Sequence, residues 1–286
     1  MKRRTFIHSL AAGALSISLG DALAKYRKPK TFALQLFSVR DSVAKDLEGT
    51  LQKLRNIGYN QLEIYGYNGT FFGKTPQDFK TVLSNTGMSV VSSHHITGFE
   101  MKTKGSLKDG WEQAVQDLDS IGTKYMGCSY LFPNERTNEI YSALPDLLNK
   151  SGEIAKEAGI QFFYHNHEFE FEKFGDTLAY DHLLTKTSAD LVKMELDLYW
   201  IYKAGKDPIS YFEKYPGRFP LWHVKDMSAA GEITEVGNGT IDFDKIFAAR
   251  KKSGLEHWFV EQDVSKGDMF ESLKKSYDFL SVKKYT

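Results

Sequence analysis

A repeating order of elements constrains this chain more than any other feature: an apolar strand pattern, a polar loop, an amphipathic helix pattern, a glycine, and the next strand pattern. The glycines that follow a helix pattern and precede a strand pattern are Gly58, Gly87, Gly122, Gly159 and Gly254. Glycine is favoured there because the residue after a helix often needs a positive φ. The strand patterns begin near Phe32, Gln61, Ser89, Lys124, Ile160, Leu191, Phe219 and His257. Successive starts are roughly 28 to 38 residues apart, which is the size of a βα unit.

Eight βα units in about 255 residues predict a (β/α)8 TIM barrel, an α/β fold. We therefore expect a single barrel domain over residues 25–286, with no internal linker and no second domain. A doubly wound open sheet is the competing architecture, and it normally has a glycine-rich phosphate-binding turn after its first strand. The first strand here continues into LQLFSVRD, which contains no glycine.

Residues 1–24 differ in kind from the rest of the chain. They combine a basic start (KRR), an apolar middle and an Ala-x-Ala end. This is the three-part pattern of a secretory signal, and the paired arginines followed by Thr-Phe-Ile resemble a twin-arginine signal. An uncleaved membrane anchor is the alternative, but the apolar stretch is short for a span and is interrupted by Ser and Gly. We expect the mature chain to be periplasmic or otherwise exported, without a stable membrane span.

Charge and cysteine content exclude several classes of function. The formal net charge is +0 and the pI is about 7.1, so the chain has no electrostatic footprint for nucleic acid or for an anionic membrane. The single cysteine, Cys128, excludes an intrachain disulfide and a cysteine-rich metal site. It lies in the apolar segment KYMGCSYL, where we expect a buried and inert thiol.

Four strand patterns end in two polar residues spaced i, i+2. The pairs are His165 and His167, Glu195 and Asp197, His223 and Lys225, and Glu261 and Asp263. Because successive strand residues point to opposite faces, each pair lies on one face of its strand. Burying so many charged groups without partners would cost several kcal/mol each, so we expect them to converge on one another or on a metal ion. In a TIM barrel they would meet at the C-terminal ends of the strands, where active sites lie.

These residues can be assigned roles from their chemistry. Asp197, His223 and Glu261 are the strongest metal-ligand candidates, with His165 as a fourth ligand. A buried ion-pair network is the alternative for this set. The candidates for acid–base catalysis are Glu261, Glu195 and His167. Glu195 lies one pleat below Asp197 and is also a candidate partner of the ligands.

A second group of residues is expected to contact the substrate. Its members are Glu63, His94, Glu170, Lys225 and Asp263. His94 and His95 are adjacent on a strand, so at most one of them faces the centre. Lys225 has an alternative role in neutralising the surrounding carboxylates. The alternation in EFEFE (168–172) favours a short solvated ribbon, within which Glu170 is the candidate site residue.

Motifs spread over the whole mature chain carry a family resemblance. They are LQLFSVRD, YHNHEFEF, ELDLYW, HVKD with the downstream VGNGTIDF, and VEQD. In these motifs the chain resembles the sugar phosphate isomerase/epimerase family of xylose isomerase-like TIM barrels (AP endonuclease family 2), which also contains inosose dehydratases and endonuclease IV. The resemblance implies one divalent metal ion, Mn, Co, Mg or Zn, held by residues of strands five to eight. The fifth-strand ligand of the epimerases is commonly a glutamate, whereas this chain has His165 there.

This site predicts a metal-dependent isomerase or epimerase that acts on a sugar or keto-sugar by enediolate proton transfer. A dehydratase or lyase of a keto-sugar or inosose is an alternative on the same site. A non-catalytic periplasmic sugar-binding protein is a second alternative. An endonuclease-like phosphodiesterase would need a basic groove for DNA, and the neutral charge argues against it. The expected partner is a small carbohydrate rather than nucleic acid, and the sequence is compatible with a homo-oligomer.

Overall fold

The computed structural model of the protein describes residues 31–283 and residue 285. The predicted export signal at residues 1–24 lies outside the described residues, and so does the short segment up to residue 30. Within the described part of the chain, no helix has both the length and the apolar character that a bilayer span requires. The described residues belong to the compact unit that begins at Thr31.

Eight parallel strands form a closed barrel in which every strand pairs with its neighbours in sequence. The strands are β1 (Ala33–Gln35), β2 (Gln61–Tyr65), β3 (Ser89–Ile96), β4 (Tyr125–Tyr130), β5 (Gln161–His165), β6 (Val192–Asp197), β7 (Leu221–Val224) and β8 (His257–Val260). The barrel closes between β1 and β8, where Ala33 pairs with Phe259 and Leu34 with Val260. The predicted (β/α)8 fold is confirmed, and the predicted strand starts lie within two residues of the observed ones.

Helices connect the strands and cover the outside of the barrel. They span Arg40–Val43, Leu47–Ile57, Pro76–Thr86, Trp111–Ser120, Asn138–Glu157, Ala179–Lys186, Leu198–Lys203, Pro208–Lys214, Phe243–Ala248, Arg250–Ser253 and Met269–Ser281. The five glycines predicted to follow helices all have positive φ, for example +65° at Gly87 after the helix Pro76–Thr86. Two short antiparallel pairs lie outside the barrel, Lys173–Phe174 with Thr177–Leu178 and Asp226–Met227 with Ile233–Thr234.

Two apolar regions flank the strands. The larger lies between the strands and the helices, where for example the rings of Phe212 and Trp222 stack with centroids 5.1 Å apart. Cys128 is fully buried there, and burial raises the pKa of its thiol, as expected for an inert cysteine. The smaller region fills the N-terminal half of the barrel interior and consists of Ala33, Val91, Tyr125, Phe163, Leu221 and Phe259. This apolar layer closes the lower end of the barrel, so that polar side chains collect above it.

Candidate metal centre

The polar layer of the barrel interior follows from strand geometry. His165, His223 and Glu261 each lie two residues after an apolar inward-facing residue, namely Phe163, Leu221 and Phe259. Residues spaced i, i+2 on a strand share a face, so these three side chains also point inward, one layer higher. On β6 two successive inward positions are acidic, Glu195 in the lower position and Asp197 above it. The strand-end pairs therefore converge inside one end of the barrel.

Four buried side chains bring their donor atoms together in what we call the upper ligand set: His165, Asp197, His223 and Glu261. His165 Nε2 lies 3.1 Å from His223 Nδ1, and His223 Nδ1 lies 2.8 Å from Glu261 Oε2. Asp197 Oδ2 lies 3.5 Å from His165 Nε2. The structure thus groups all four residues that the sequence predicts as metal ligands.

The upper ligand set fits a divalent cation. Two imidazole nitrogens and two carboxylate oxygens are donors that suit Zn²⁺, Mn²⁺ or Co²⁺. Asp197 is fully buried, and its Oδ2 has no well-directed hydrogen bond within the described part of the chain. This oxygen retains a lone pair for a cation, although the Lys225 ammonium lies 3.2 Å from it. Asp197 Oδ1 instead accepts a hydrogen bond from the backbone N–H of Trp200 and so fixes the carboxylate.

A carboxylate lies behind His223 on the side away from the upper ligand set. Glu63 Oε2 lies 2.6 Å from His223 Nε2, and Gln35 Nε2 donates to the same oxygen at 2.8 Å. A carboxylate that accepts the second N–H of a ligating histidine fixes the ring and increases its basicity. Glu63 is fully buried, so the structure places it behind a ligand and not among the surfaces open to a substrate.

His94 and Glu195 form a second contact deep in the barrel. His94 Nε2 lies 2.6 Å from Glu195 Oε2 and 3.0 Å from Glu63 Oε2. Burial alone lowers the pKa of His94, but the two carboxylates raise it to about 9. Burial and the charge of Glu63 raise the pKa of Glu195 to about 7. His94 therefore faces the centre, whereas His95 points outward to the backbone carbonyl of Gly105.

Lys225 is a buried cation held by three carboxylates. Its Nζ lies 2.7 Å from Glu261 Oε2, 2.9 Å from Asp263 Oδ2 and 3.2 Å from Asp197 Oδ2. Burial alone lowers the pKa of Lys225, but these carboxylates raise it well above its usual value, so the group stays an ammonium ion. Two of the three contacts are atoms of the upper ligand set. Lys225 therefore neutralises the carboxylates and also presents a donor beside them.

A cavity of about 850 Å³ opens above the upper ligand set. The aromatic side chains in its walls include Phe37, Tyr65, Tyr130, Phe132, Phe169 and Trp200. The predicted site residues that line it are His94, His165, His167, Lys225, Glu261 and Asp263. The predicted site residues that do not line it are Glu63, Glu170, Glu195, Asp197 and His223. Glu195 could therefore exchange a proton with a bound molecule only through His94.

His167 lies in the wall of the cavity as a neutral imidazole. Its ring stacks on Phe169 with centroids 5.3 Å apart, and its Nδ1 has no hydrogen-bond partner within the described residues. Burial, followed by the charges of His165 and Lys225, lowers the pKa of His167 well below its usual value. Because the residue lines the cavity, its imidazole is a candidate to exchange a proton with a bound molecule.

The solvated ribbon expected for EFEFE is wrong. Residues Phe169–Phe171 form a 3-10 turn whose three side chains are buried. Glu170 Oε1 accepts a hydrogen bond from the Tyr164 hydroxyl at 2.7 Å, and its Oε2 accepts one from the backbone N–H of His167 at 2.7 Å. The alternation fails because the chain turns directly after β5. Glu170 is fully buried and positions the His167 backbone from outside the cavity.

Sequence reasoning missed two residues at this end of the barrel. Asp226, the last residue of HVKD, accepts hydrogen bonds from the backbone N–H groups of Gly237 and Gly239 at 2.9 and 3.0 Å. The position of HVKD upstream of the glycine-rich VGNG segment was the available signal. Arg136 also lines the cavity, with its guanidinium 3.5 Å from the ring centroid of Phe169. No strand-end spacing marks Arg136, because it lies in the connection after β4.

Comparisons with known proteins agree with this geometry. The family model described as xylose isomerase-like TIM barrel matches residues 51–280. The inosose dehydratase of Lacticaseibacillus casei is 29% identical over 262 residues, which cover 78% of this chain and 87% of that protein. The inosose dehydratase of Bacillus cereus (strain AH820) is 28% identical over 263 residues, covering 78% and 88%.

Solved structures also include similar TIM barrels. A sugar phosphate isomerase/epimerase from Parabacteroides distasonis ATCC 8503 superposes with a TM-score of 0.80 at 29% identity, covering 94% of this chain and 99% of that chain. Two structures under 25% identical support the fold alone: the IolI protein with a zinc atom (TM-score 0.68) and a Mycobacterium smegmatis protein in complex with magnesium (TM-score 0.67). Proteins that share this fold therefore include examples that bind a divalent metal ion.

Proposed function

The chain belongs to the xylose isomerase-like TIM barrel family of enzymes, and from this premise we propose that it is a divalent-metal-dependent isomerase or epimerase of a sugar or keto-sugar. The reaction is a proton transfer through an enediolate. The cation is Mn, Co, Mg or Zn, and the substrate is a small carbohydrate. The main support for this proposal is the upper ligand set, which lies directly beneath the cavity. The neutral imidazole of His167 and the ammonium group of Lys225 lie beside it.

The four residues that would hold the cation are His165, Asp197, His223 and Glu261. When bound, the cation supplies positive charge that stabilises the negative charge developing on vicinal substrate oxygens. The remaining chemistry belongs to side chains of the cavity.

Two side chains that line the cavity are suited to take the substrate proton. His167 is a neutral imidazole that lines the cavity. Burial alone raises the pKa of Glu261, but the positive charges of Lys225 and His223 have the larger effect and lower this pKa below its usual value. The Glu261 carboxylate is therefore ionised. Lys225 and Asp263 would bind substrate hydroxyl or carbonyl oxygens, because both line the cavity and contact each other at 2.9 Å. Glu195 would act only through His94.

Dehydration is the second candidate, and two observations favour it. The two relatives compared above are inosose dehydratases. In addition, elimination needs an acid for the leaving hydroxyl, and His94 lines the cavity with a pKa raised to about 9, despite burial, by Glu63 and Glu195. A protonated His94 would supply that proton.

A deuterium-exchange assay separates these reactions. Protein loaded with Mn²⁺ is incubated in D₂O with a panel of ketoses, keto-sugars and inososes, and the products are followed by NMR and mass spectrometry. Deuterium in a recovered isomer or epimer supports the first proposal, whereas a product lighter by one water supports dehydration. If no compound of the panel exchanges or loses water, the proposed function is wrong.

A pair of variants assigns the base. His167→Gln removes the proton acceptor and should reduce exchange by about 10²-fold or more. His257→Gln is the matched control, because that imidazole lies at the N-terminal end of β8, the opposite end of the strand from Glu261. An unchanged rate in His167→Gln would assign the base to Glu261.

We also propose that the enzyme works outside the cytoplasm, on the basis of the signal pattern in residues 1–24. Fractionation of cells that express the full chain tests this proposal. Retention of the protein with its signal in the cytoplasmic fraction would contradict it.

A further inference from the structure

One guanidinium group in the cavity wall, that of Arg136, has no carboxylate partner within the described part of the chain. Two other basic side chains of the cavity are paired with carboxylates. Lys225 Nζ lies 2.9 Å from Asp263 Oδ2, and His94 Nε2 lies 2.6 Å from Glu195 Oε2. Arg136 therefore supplies a positive charge to the cavity that no protein anion neutralises.

The position of this guanidinium is fixed by its neighbours. Nε of Arg136 donates to the backbone carbonyl of Leu131 at 3.0 Å, and Nη2 donates to the Tyr130 hydroxyl at 2.7 Å. The guanidinium carbon lies 3.5 Å from the ring centroid of Phe169. A stacked and hydrogen-bonded guanidinium is pre-organised, so a ligand that binds it has little side-chain motion to arrest.

The remaining donors of Arg136 match a carboxylate. A guanidinium has five N–H groups, and two of them make the bonds to Leu131 and Tyr130. Both N–H groups of Nη1 and the second one of Nη2 have no acceptor among the described residues. These donors share the terminal edge of the guanidinium, and two parallel N–H groups of such an edge bind both oxygens of a carboxylate. The Tyr130 hydroxyl accepts from Arg136, so its own proton is left to donate to the same ligand.

The charge of the cavity favours a carboxylate over a phosphate ester. A phosphate ester carries about two negative charges near neutral pH, whereas a carboxylate carries one. Arg136 supplies one positive charge. The other lysine or arginine that lines the cavity within the described residues is Lys225, and three carboxylates already surround it.

Aromatic contacts connect Arg136 to the upper ligand set. The Phe169 ring beneath the guanidinium stacks on His167 with centroids 5.3 Å apart, and the centroid of His167 lies 4.9 Å from that of His165. In this series of contacts the proposed base His167 comes between Arg136 and the upper ligand set. One molecule in the cavity can therefore contact all three.

We propose that Arg136, together with the Tyr130 hydroxyl, binds a carboxylate group of the substrate, so that the enzyme acts on acidic sugars in preference to neutral ones. The substrate class is a sugar acid that carries its carboxylate at one end and its hydroxy-ketone at the other. This inference rests on the proposed function, because it names the class of carbohydrate that the same cavity takes. The competing role for Arg136 is structural: it would only hold Tyr130 and Phe169 in the wall, and would then affect acidic and neutral sugars alike.

Equilibrium binding separates these roles without turnover. Protein loaded with Mn²⁺ is titrated by calorimetry with methyl β-D-glucuronoside, methyl β-D-glucoside and methyl β-D-glucoside 6-phosphate, in which the anomeric methyl group blocks ring opening. The wild type should bind the glucuronoside roughly tenfold to a hundredfold more tightly than the glucoside, the range expected for hydrogen bonds to a charged group. Equal affinities, or no binding of the glucuronoside, would overturn the proposal. Tightest binding of the phosphate would assign the position to a phosphate ester and overturn the carboxylate.

Three variants assign the preference to Arg136. Arg136→Gln should lower the affinity for the glucuronoside to that for the glucoside, and Arg136→Lys, which keeps the charge without the paired donors, should retain part of the preference. Arg40→Gln is the matched control: its guanidinium lies 4.5 Å from the Phe37 ring centroid and donates to the Asp263 carbonyl at 3.0 Å, but does not line the cavity. In this control the ratio of the two affinities should keep its wild-type value.

Two results from Arg136→Gln would contradict the proposal. An equal loss of both affinities would show that Arg136 is structural, and a preference that survives would place the carboxylate on the metal ion. If Arg136→Gln does not fold, Arg136→Lys and the wild-type comparison decide. Failure of this inference leaves the proposed function standing, because deuterium exchange with neutral sugars does not require Arg136. Absence of exchange and of dehydration with every compound refutes the proposed function, whatever Arg136 binds.

Discussion

Asp226 holds the loop that follows β7, and replacing it with asparagine gives a sharp test of the structure. The side chain is 1% exposed. Its Oδ1 accepts from the N–H groups of Met227 at 2.8 Å and Ile241 at 3.3 Å, and its Oδ2 accepts from Gly237 and Gly239. The loop is packed tightly around this carboxylate, since a Cβ at Gly239 would overlap Asp226 and the Met227 carbonyl. Asp226→Asn keeps the shape and removes one acceptor oxygen.

The size of the effect follows from these four hydrogen bonds. A hydrogen bond to a charged acceptor contributes about 1.5–3 kcal/mol and one to a neutral acceptor about 0.5–1.5 kcal/mol. The amide NH₂ cannot accept, so two bonds are lost and the other two weaken. The lower desolvation cost of an amide offsets part of this loss. We expect a net decrease in the free energy of unfolding on the order of 3 kcal/mol, which corresponds to a melting temperature lower by about 6–12 °C.

Urea denaturation followed by circular dichroism measures this change. The control is Asp242→Asn in the same loop, where Asp242 caps the helix Phe243–Ala248 through the N–H of Lys245. Asparagine is as good an N-cap as aspartate, so the control should change stability by less than about 0.5 kcal/mol. If Asp226→Asn destabilises the protein no more than the control does, the carboxylate does not hold the loop.

Three further predictions concern charge in the barrel. Lys225→Met leaves the carboxylates of Asp197, Glu261 and Asp263 without the ammonium group, so the metal-free variant should lose about 3–5 kcal/mol of unfolding free energy in urea titrations. Added Zn²⁺ should restore much of this stability. An equal loss with and without Zn²⁺ would contradict the prediction. Burial lowers the pKa of His223, but its carboxylate neighbours raise it well above its usual value, so metal binding must release a proton. The affinity for the metal ion should therefore rise about tenfold per pH unit near pH 7. If the binding enthalpy measured by calorimetry does not depend on the ionisation enthalpy of the buffer, no proton is released and the prediction is wrong. Burial raises the pKa of Glu170 from 4.5 to about 7, so between these values the folded chain holds a proton that the unfolded chain has released, and stability falls as pH rises through this window. Glu170→Gln should remove this dependence and gain about 3 kcal/mol relative to wild type between pH 4.5 and pH 8, whereas parallel pH profiles would show that Glu170 is ionised.

Most of the barrel and the identity of its inward polar residues could be predicted from the sequence because both follow from local patterns. Glycines after helix patterns and alternation on strands depend on neighbouring residues only. The pairs at the ends of β5 to β8 therefore indicate one site from the sequence alone.

What the sequence could not supply was depth within the barrel and the direction of individual atoms. Glu195 and Asp197 have the same inward orientation, and only the apolar layer beneath them shows that Glu195 lies out of reach of the cavity. The two nitrogens of His223 face the carboxylates of Glu261 and Glu63, and this depends on how three strands are staggered. Glu170 was misplaced because a turn after β5 ended the alternation on which the ribbon was based.

The closure of the barrel between β1 and β8 also sets the order in which the centre can be assembled during synthesis. A ribosome adds Gln35 and Glu63 early, but Glu261 lies on the strand that closes the barrel and is made near the end. A nascent chain that stops before residue 257 has no β8, two unpaired strand edges and an incomplete upper ligand set. A cation held by all four residues of the upper ligand set would therefore mark a chain whose barrel has closed.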